Sequence, residues 1–305
     1  MKKQRDIDIY NRIKQLLDSY QSENNNVLAG IINPISKHVL IRQMVDSVKR
    51  IEYIRTLINC DISEERTNPA SSIFDPIRAA IWHNRNGNID EALWLVLLII
   101  HFGESYTHGW SYTKAVYGKL GSENYWNWNN IKDNIPDFIN WLDVNFSRIK
   151  SLGKFGNHRQ YQSLSATSNA GTGATIRSYV NFFGNDPHHL IETIDEETRN
   201  SPKDFFSYLY KIMNNVMGLG RLGKFDFLTM VGKMSIYPIE PGHPYLNGAT
   251  GPLIGAKKLY NLENESPAKL NEYLTHLGDN LDFPFIMQIL EDSLCNWQKD
   301  PGNYI

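Results

Sequence analysis

The chain has 305 residues, 41% of them hydrophobic and 21% charged, with a formal net charge of −2 at pH 7. This is a globular composition for one large or two modest domains, and it excludes disordered, collagen-like and low-complexity architectures. Two cysteines, Cys60 and Cys295, are too few for a disulfide scaffold or a cysteine zinc site. The longest apolar run, residues 93–100, is too short to span a membrane, and the N-terminus has no apolar signal core, so we expect a cytoplasmic protein.

Apolar spacing near 3.6 residues predicts helices along most of the chain. Residues 9–20 and 45–58 carry apolar stripes of this period. Residues 93–102 are apolar on every side, which is typical of a central buried helix; Asp90 is a candidate N-cap, and Gly103 would end the helix.

Proline residues mark further helix starts. Three of these starts stand at Pro136, at Ser201 with Pro202, and at Ser266 with Pro267. Residues 39–41 and 175–180 fit short strands as well as they fit helices. The fold is therefore predicted to be mainly α, with two long polar loops at residues 154–173 and 237–255.

Charge is unevenly distributed along the chain. Residues 201–260 contain seven Lys or Arg against three acids, whereas residues 261–305 contain two Lys against eight acids. A low net charge argues against a uniformly basic nucleic-acid binder, but a local basic stretch can still contact phosphates.

The basic stretch includes a predicted helical hairpin, residues 205–231. Gly218 and Gly220 lie in its turn, where they allow positive φ and close approach of another backbone, and the second helix presents backbone N–H groups there. With Arg221 and Lys224 beside it, this turn is a candidate cradle for a DNA phosphate. The alternative is an ordinary αα-hairpin whose glycines serve only the turn.

The hairpin resembles that of the helix-hairpin-helix DNA glycosylases. In that family a catalytic Asp follows the second glycine by some twenty residues, a distance that leads here to Glu240. Met217 stands where the family has proline, and the acid is Glu in place of Asp. The resemblance implies a helix-hairpin-helix DNA glycosylase-like helical domain over residues 71–305, with residues 1–70 as an N-terminal helical segment packed on it.

Several strings between about residues 70 and 260 resemble the alpha-glutamyl/putrescinyl thymine pyrophosphorylase clade 3 family. The strings are His101-Phe102-Gly103 and residues 155–161, 171–173, 220–228 and 245–252. The family name comes from phage systems that build hypermodified pyrimidines. The chain is similar also to bacterial antiphage glycosylases that remove alpha-glucosylated hydroxymethylcytosine from phage DNA.

Cleavage of an N-glycosidic bond builds positive charge on the sugar, which a carboxylate can stabilise. Glu240 is the first candidate because it shares a glycine-rich turn with His243 and Asn247, although it also fits an exposed loop acid. Asp226 is the second candidate. It lies on the second helix of the hairpin, where it also fits a structural role, as a partner of Arg221 or Lys224 or of the helix dipole.

Polar side chains of two loops are candidates for binding the sugar or the edge of an everted base. The predicted substrate-binding residues are Asn157, His158, Arg159, Tyr161, His243 and Asn247. His101, Glu104 and His108 have the spacing of metal ligands, but Gly103 interrupts their helix, so we favour hydrogen-bonded histidines and expect no metal. Thr172 lies between two glycines at a possible phosphate-binding helix start.

We therefore predict an antiphage DNA glycosylase that excises a modified pyrimidine from double-stranded DNA. The resemblance implies a glucosylated hydroxymethyl pyrimidine. No lysine stands in an obvious nucleophile motif, so the enzyme is expected to leave abasic sites without a lyase step. We expect no cofactor, no membrane and no obligate protein partner. Two alternatives remain: an enzyme that lets an amine displace pyrophosphate from a modified pyrimidine, and a non-catalytic reader of modified DNA.

Overall fold

A computed structural model describes residues 4–23, 27–184 and 186–304, without the side chains of Glu23 and Asn157. Within these ranges the chain forms sixteen α-helices, two isolated β-bridges and no β-strand, so the predicted mainly α fold is confirmed. No helix of the described residues is both long enough and apolar enough to cross a bilayer.

In chain order the helices are α1 (Gln4–Glu23), α2 (Pro34–Leu57), α3 (Pro76–Arg85), α4 (Ile89–Phe102), α5 (Ser111–Tyr117), α6 (Trp128–Asp133), α7 (Ile135–Val144), α8 (Phe146–Leu152), α9 (Thr172–Phe183), α10 (Pro187–Glu192), α11 (Glu196–Asn200), α12 (Pro202–Ile212), α13 (Arg221–Lys233), α14 (Gly251–Tyr260), α15 (Pro267–Leu281) and α16 (Ile286–Trp297).

The helices belong to two compact units. Unit 1 combines Met1–Arg55 with Glu240–Ile305, and unit 2 is the continuous stretch Thr56–Ile239. This division differs from the predicted boundary at residue 70, because the C-terminal helices pack on α1 and α2.

Unit 1 is built around apolar faces of α1, α2 and α14 to α16. Helices α14 and α16 approach closely at Gly255, where a Cβ atom would lie 2.4 Å from the Leu294 carbonyl oxygen. The buried Trp297 of α16 donates its indole N–H to the Ser36 carbonyl of α2, at 3.1 Å. Contacts of this kind join the two ends of the chain into one core.

Unit 2 is organised around α4, whose side chains from 92 to 102 are all buried, as the all-round apolar pattern predicts. Helices α3, α5 and α13 pack against it. The predicted N-cap is wrong: α4 begins one residue before Asp90, which lies in the first turn and accepts a hydrogen bond from the His188 backbone, at 2.8 Å. The predicted helix end at Gly103 is confirmed, with φ of +67°.

Other local predictions have mixed outcomes. Ser201 and Ser266 cap α12 and α15 through their hydroxyls, as predicted. Residues 39–41 and 175–180, whose sequences fit a strand as well as a helix, are helical and lie inside α2 and α9.

Glu91, in the first turn of α4, joins three segments of unit 2. Its carboxyl accepts the Tyr117 hydroxyl at 2.8 Å and the Trp128 backbone N–H at 2.7 Å. Burial outweighs these hydrogen bonds and raises the pKa of Glu91 from 4.5 to about 7.

The raised pKa of Glu91 predicts a pH-dependent stability. The folded state holds the proton more tightly than the unfolded chain, so this contribution is complete below pH 4.5 and is lost as the pH rises to about 7. At about 1.4 kcal/mol per pKa unit, the free energy of unfolding should fall by up to about 3 kcal/mol relative to Glu91→Gln across that range. Urea denaturation of both proteins from pH 4.5 to 7.5 measures this difference, and parallel pH curves would contradict the assignment.

Candidate functional site

The buried side chain of Arg159 is at the centre of the candidate site in unit 2. Its Nε donates to the Ile100 carbonyl at 2.7 Å, near the end of α4, and its Nη1 donates to the Tyr161 hydroxyl at 3.1 Å. Its Nη2 forms an ion pair with the Asp226 carboxylate of α13. The Arg159 side chain is 5% exposed and the Asp226 side chain is 23% exposed, so Asp226 is the more accessible partner of the ion pair.

The two strings that contain His101 and Thr172 also meet here. Thr172 Oγ1 donates to the Ser163 carbonyl and lies 2.9 Å from His101 Nε2. Since the hydroxyl proton goes to Ser163, His101 donates its Nε2–H to Thr172, and its buried Nδ1 has no hydrogen-bond partner among the described residues. Burial, followed by the positive charge of Arg159, lowers the pKa of His101 to about 3.

These contacts settle how His101 is used. The imidazole is neutral near pH 7 and is hydrogen-bonded, which agrees with the interpretation of His101 as a hydrogen-bonded histidine. Across the described part of the chain, no group of three or more His, Cys, Asp or Glu side chains is arranged to hold a metal ion.

The helical hairpin consists of α12, a 3₁₀ turn at Met213–Asn215, a short loop and α13. Gly218 has φ of +75°, and a Cβ atom there would lie 2.1 Å from the Thr175 hydroxyl oxygen of α9. The Gln162 side chain donates to the Gly218 carbonyl at 3.2 Å. Gly220 is different: it is exposed, has φ of −66° and has open space around its Cβ position. The turn is therefore anchored on one side and accessible on the other.

The two predicted phosphate-binding side chains, Lys224 and Arg221, contact residues of the hairpin itself. Lys224 is only 6% exposed; its ammonium donates to Asn214 Oδ1 and lies 4.2 Å from the centre of the Tyr210 ring. Burial lowers the pKa of Lys224. Arg221 is half-buried, with its guanidinium carbon 5.3 Å from the centre of the Phe225 ring. A phosphate contact by Lys224 would require its ammonium to leave Asn214.

The remaining predicted residues of unit 2 belong to the loop that carries Arg159. Tyr161 is 69% exposed although its hydroxyl is held by Arg159, and His158 is exposed. The side chain of Asn157 lies outside the described residues.

Three predicted residues, Glu240, His243 and Asn247, belong to unit 1. The half-buried Glu240 accepts the backbone N–H of Phe285 at 2.9 Å, next to the start of α16. His243 stacks on Tyr245 and accepts the backbone N–H of that residue at 3.0 Å; burial lowers the pKa of His243. Asn247 is exposed. Glu240 and His243 thus shape the loop that leads into α14.

The sequence identifies Arg159 and Asp226 as separate candidate site residues, but it does not predict that they form a pair. They are 67 residues apart, so no helical or loop spacing connects them. Gln162, which contacts the hairpin turn, is not among the predicted residues; its one sequence signal is its position next to the predicted loop residues.

The two hairpin glycines should respond differently to substitution. Gly218→Ala places a Cβ against Thr175 in a left-handed backbone conformation and should destabilise unit 2 by about 2 kcal/mol or more. Gly220→Ala is the matched control and should change stability by less than about 1 kcal/mol. Thermal and urea unfolding measure both, and equal losses would contradict the distinction.

The comparisons with known proteins identify the family. No curated protein and no solved structure gave a significant match to the chain. Residues 35–305 match a family described as alpha-glutamyl/putrescinyl thymine pyrophosphorylase clade 3. Since this match covers most of the sequence, the chain belongs to the alpha-glutamyl/putrescinyl thymine pyrophosphorylase clade 3 family.

Proposed function

We propose that this protein binds DNA at the hairpin turn and carries out a reaction on a modified pyrimidine. The family supports the pyrimidine, since its description names a thymine pyrophosphorylase. The accessible side of the turn at Gly220 supports the DNA contact, because the first turn of a helix offers backbone N–H groups to an anion.

The observation that carries the proposal is the Arg159–Asp226 pair beside this turn. The buried guanidinium of Arg159 holds the Asp226 carboxylate in place through their ion pair. The same guanidinium holds the hydroxyl of the exposed Tyr161, whose ring is available to stack on a base. A partly exposed carboxylate and an aromatic surface are thus attached to one buried group.

The family description favours displacement at the modified base. In this reaction an amine nitrogen attacks the methylene carbon on the pyrimidine ring, the new C–N bond forms, and the C–O bond to pyrophosphate breaks. The amine also loses a proton. Asp226 is our candidate to accept that proton, because it is the partly exposed acid of the cluster.

Glycosidic cleavage is the second candidate, and the same ion pair supports it. A fixed carboxylate suits the positive charge that develops on deoxyribose as the base departs and water adds to the anomeric carbon. This reaction would leave an abasic site and suits defence against phages with modified DNA. Glu240 is the alternative acid, although its hydrogen bond to the Phe285 backbone gives it a structural task.

The test is product analysis on duplex DNA with a defined modified pyrimidine. Duplexes carrying pyrophosphorylated hydroxymethyl or glucosylated hydroxymethyl pyrimidines are incubated with and without a primary amine, and the products are separated by mass spectrometry. Pyrophosphate with an amine adduct indicates displacement, and free base with abasic DNA indicates cleavage. DNA binding without a product indicates a reader, and absence of both binding and product contradicts the proposal.

Asp226→Asn should lower the turnover detected in this assay by about 100-fold or more, since the amide can still accept from Arg159 but carries no charge. DNA affinity should change much less. Asp143→Asn, at an exposed acid of α7, is the matched control, and Glu240→Gln tests the alternative acid. Full activity of Asp226→Asn together with inactive Glu240→Gln would transfer the role to Glu240.

A further inference from the structure

A polar pocket of unit 2 lies next to the hairpin turn. It has a volume of about 260 Å³, and its walls come from the loop before α9, from one face of α9 and from Met217 of the turn. The Ser178 hydroxyl connects these parts: it accepts the Met217 backbone N–H at 2.8 Å and donates to the Thr175 carbonyl at 2.9 Å. The pocket wall and the turn are therefore held together.

The charge of this pocket is positive. Arg177 is the one charged residue among the described residues that line it, and no carboxylate is present there. Arg177 is exposed, and within the described ranges its side chain has neither a hydrogen-bond nor an ion-pair partner. Its five N–H donors and its charge are thus available to a ligand.

The other polar side chains of the lining are also available. Thr167, Ser168, Asn169 and Asn181 are exposed, and none of their side chains hydrogen-bonds another described residue. They supply hydroxyl and amide donors around Arg177. A cation surrounded by neutral donors, with no acid among them, is suited to a phosphate oxyanion.

We propose that this pocket binds a phosphate group, an inference that rests on the proposed function for the identity of the phosphate. One source is a backbone phosphodiester of DNA held at the adjacent turn. The other source is the pyrophosphate that leaves during displacement. Both present the same oxyanion chemistry to Arg177.

The test compares Arg177→Gln with Arg148→Gln, which removes an equal charge from an exposed arginine of α8. Affinity for duplex DNA is measured over a range of salt concentrations. One phosphate contact contributes about 0.9 to the slope of log affinity against log salt. If the pocket binds a DNA phosphate, Arg177→Gln should make this negative slope shallower by about 1, whereas Arg148→Gln should leave it as in the unchanged protein.

Calorimetric titration with inorganic pyrophosphate distinguishes the second source. Pyrophosphate binding that Arg177→Gln weakens at least tenfold, with an unchanged DNA salt slope, assigns the pocket to the leaving group. An unchanged slope together with unchanged or absent pyrophosphate binding overturns the pocket proposal. A protein that binds no DNA contradicts the proposed function, and the pyrophosphate titration then decides the pocket alone. Melting temperatures verify that both variants are folded.

Discussion

The candidate site depends on one buried cation. A guanidinium taken out of water loses several kcal/mol of hydration free energy, which only close partners can offset. Arg159 has such partners in a carbonyl, a phenol and a carboxylate. Loss of one partner of a buried ion pair typically costs about 3–5 kcal/mol, so the positions of Asp226 and Tyr161 are coupled through Arg159.

Close backbone contacts give Arg159 its position. A Cβ atom at Gly103 would lie 3.2 Å from the Gly156 Cα, and one at Gly156 would lie 2.8 Å from the Glu104 carbonyl oxygen. The Gly156 N–H also donates to the Phe102 carbonyl, at 2.8 Å. The polar loop is therefore fastened to the end of α4, which brings Arg159 within reach of the Ile100 carbonyl.

A feature of this structure could be predicted from the sequence when the residues that produce it are close together along the chain. Helix periodicity and the serine caps are local, so the mainly α fold and the starts at Ser201 and Ser266 could be predicted. Asp90 has the composition of a cap, but its carboxylate is used by the distant His188 backbone. The Arg159–Asp226 pair is equally long-range, and the direction of the Lys224 side chain depends on α12. Charge and spacing identify such residues but not their partners.

The order of the two units along the chain affects how the protein is made. Unit 2 is one continuous stretch, so all of its residues are synthesised before residue 240 is added. Unit 1 needs α16, because Trp297 and its neighbours complete its core. During synthesis the apolar faces of α1 and α2 therefore lack their packing partners until α16 has emerged. In this interval the nascent chain is most prone to aggregation or chaperone binding.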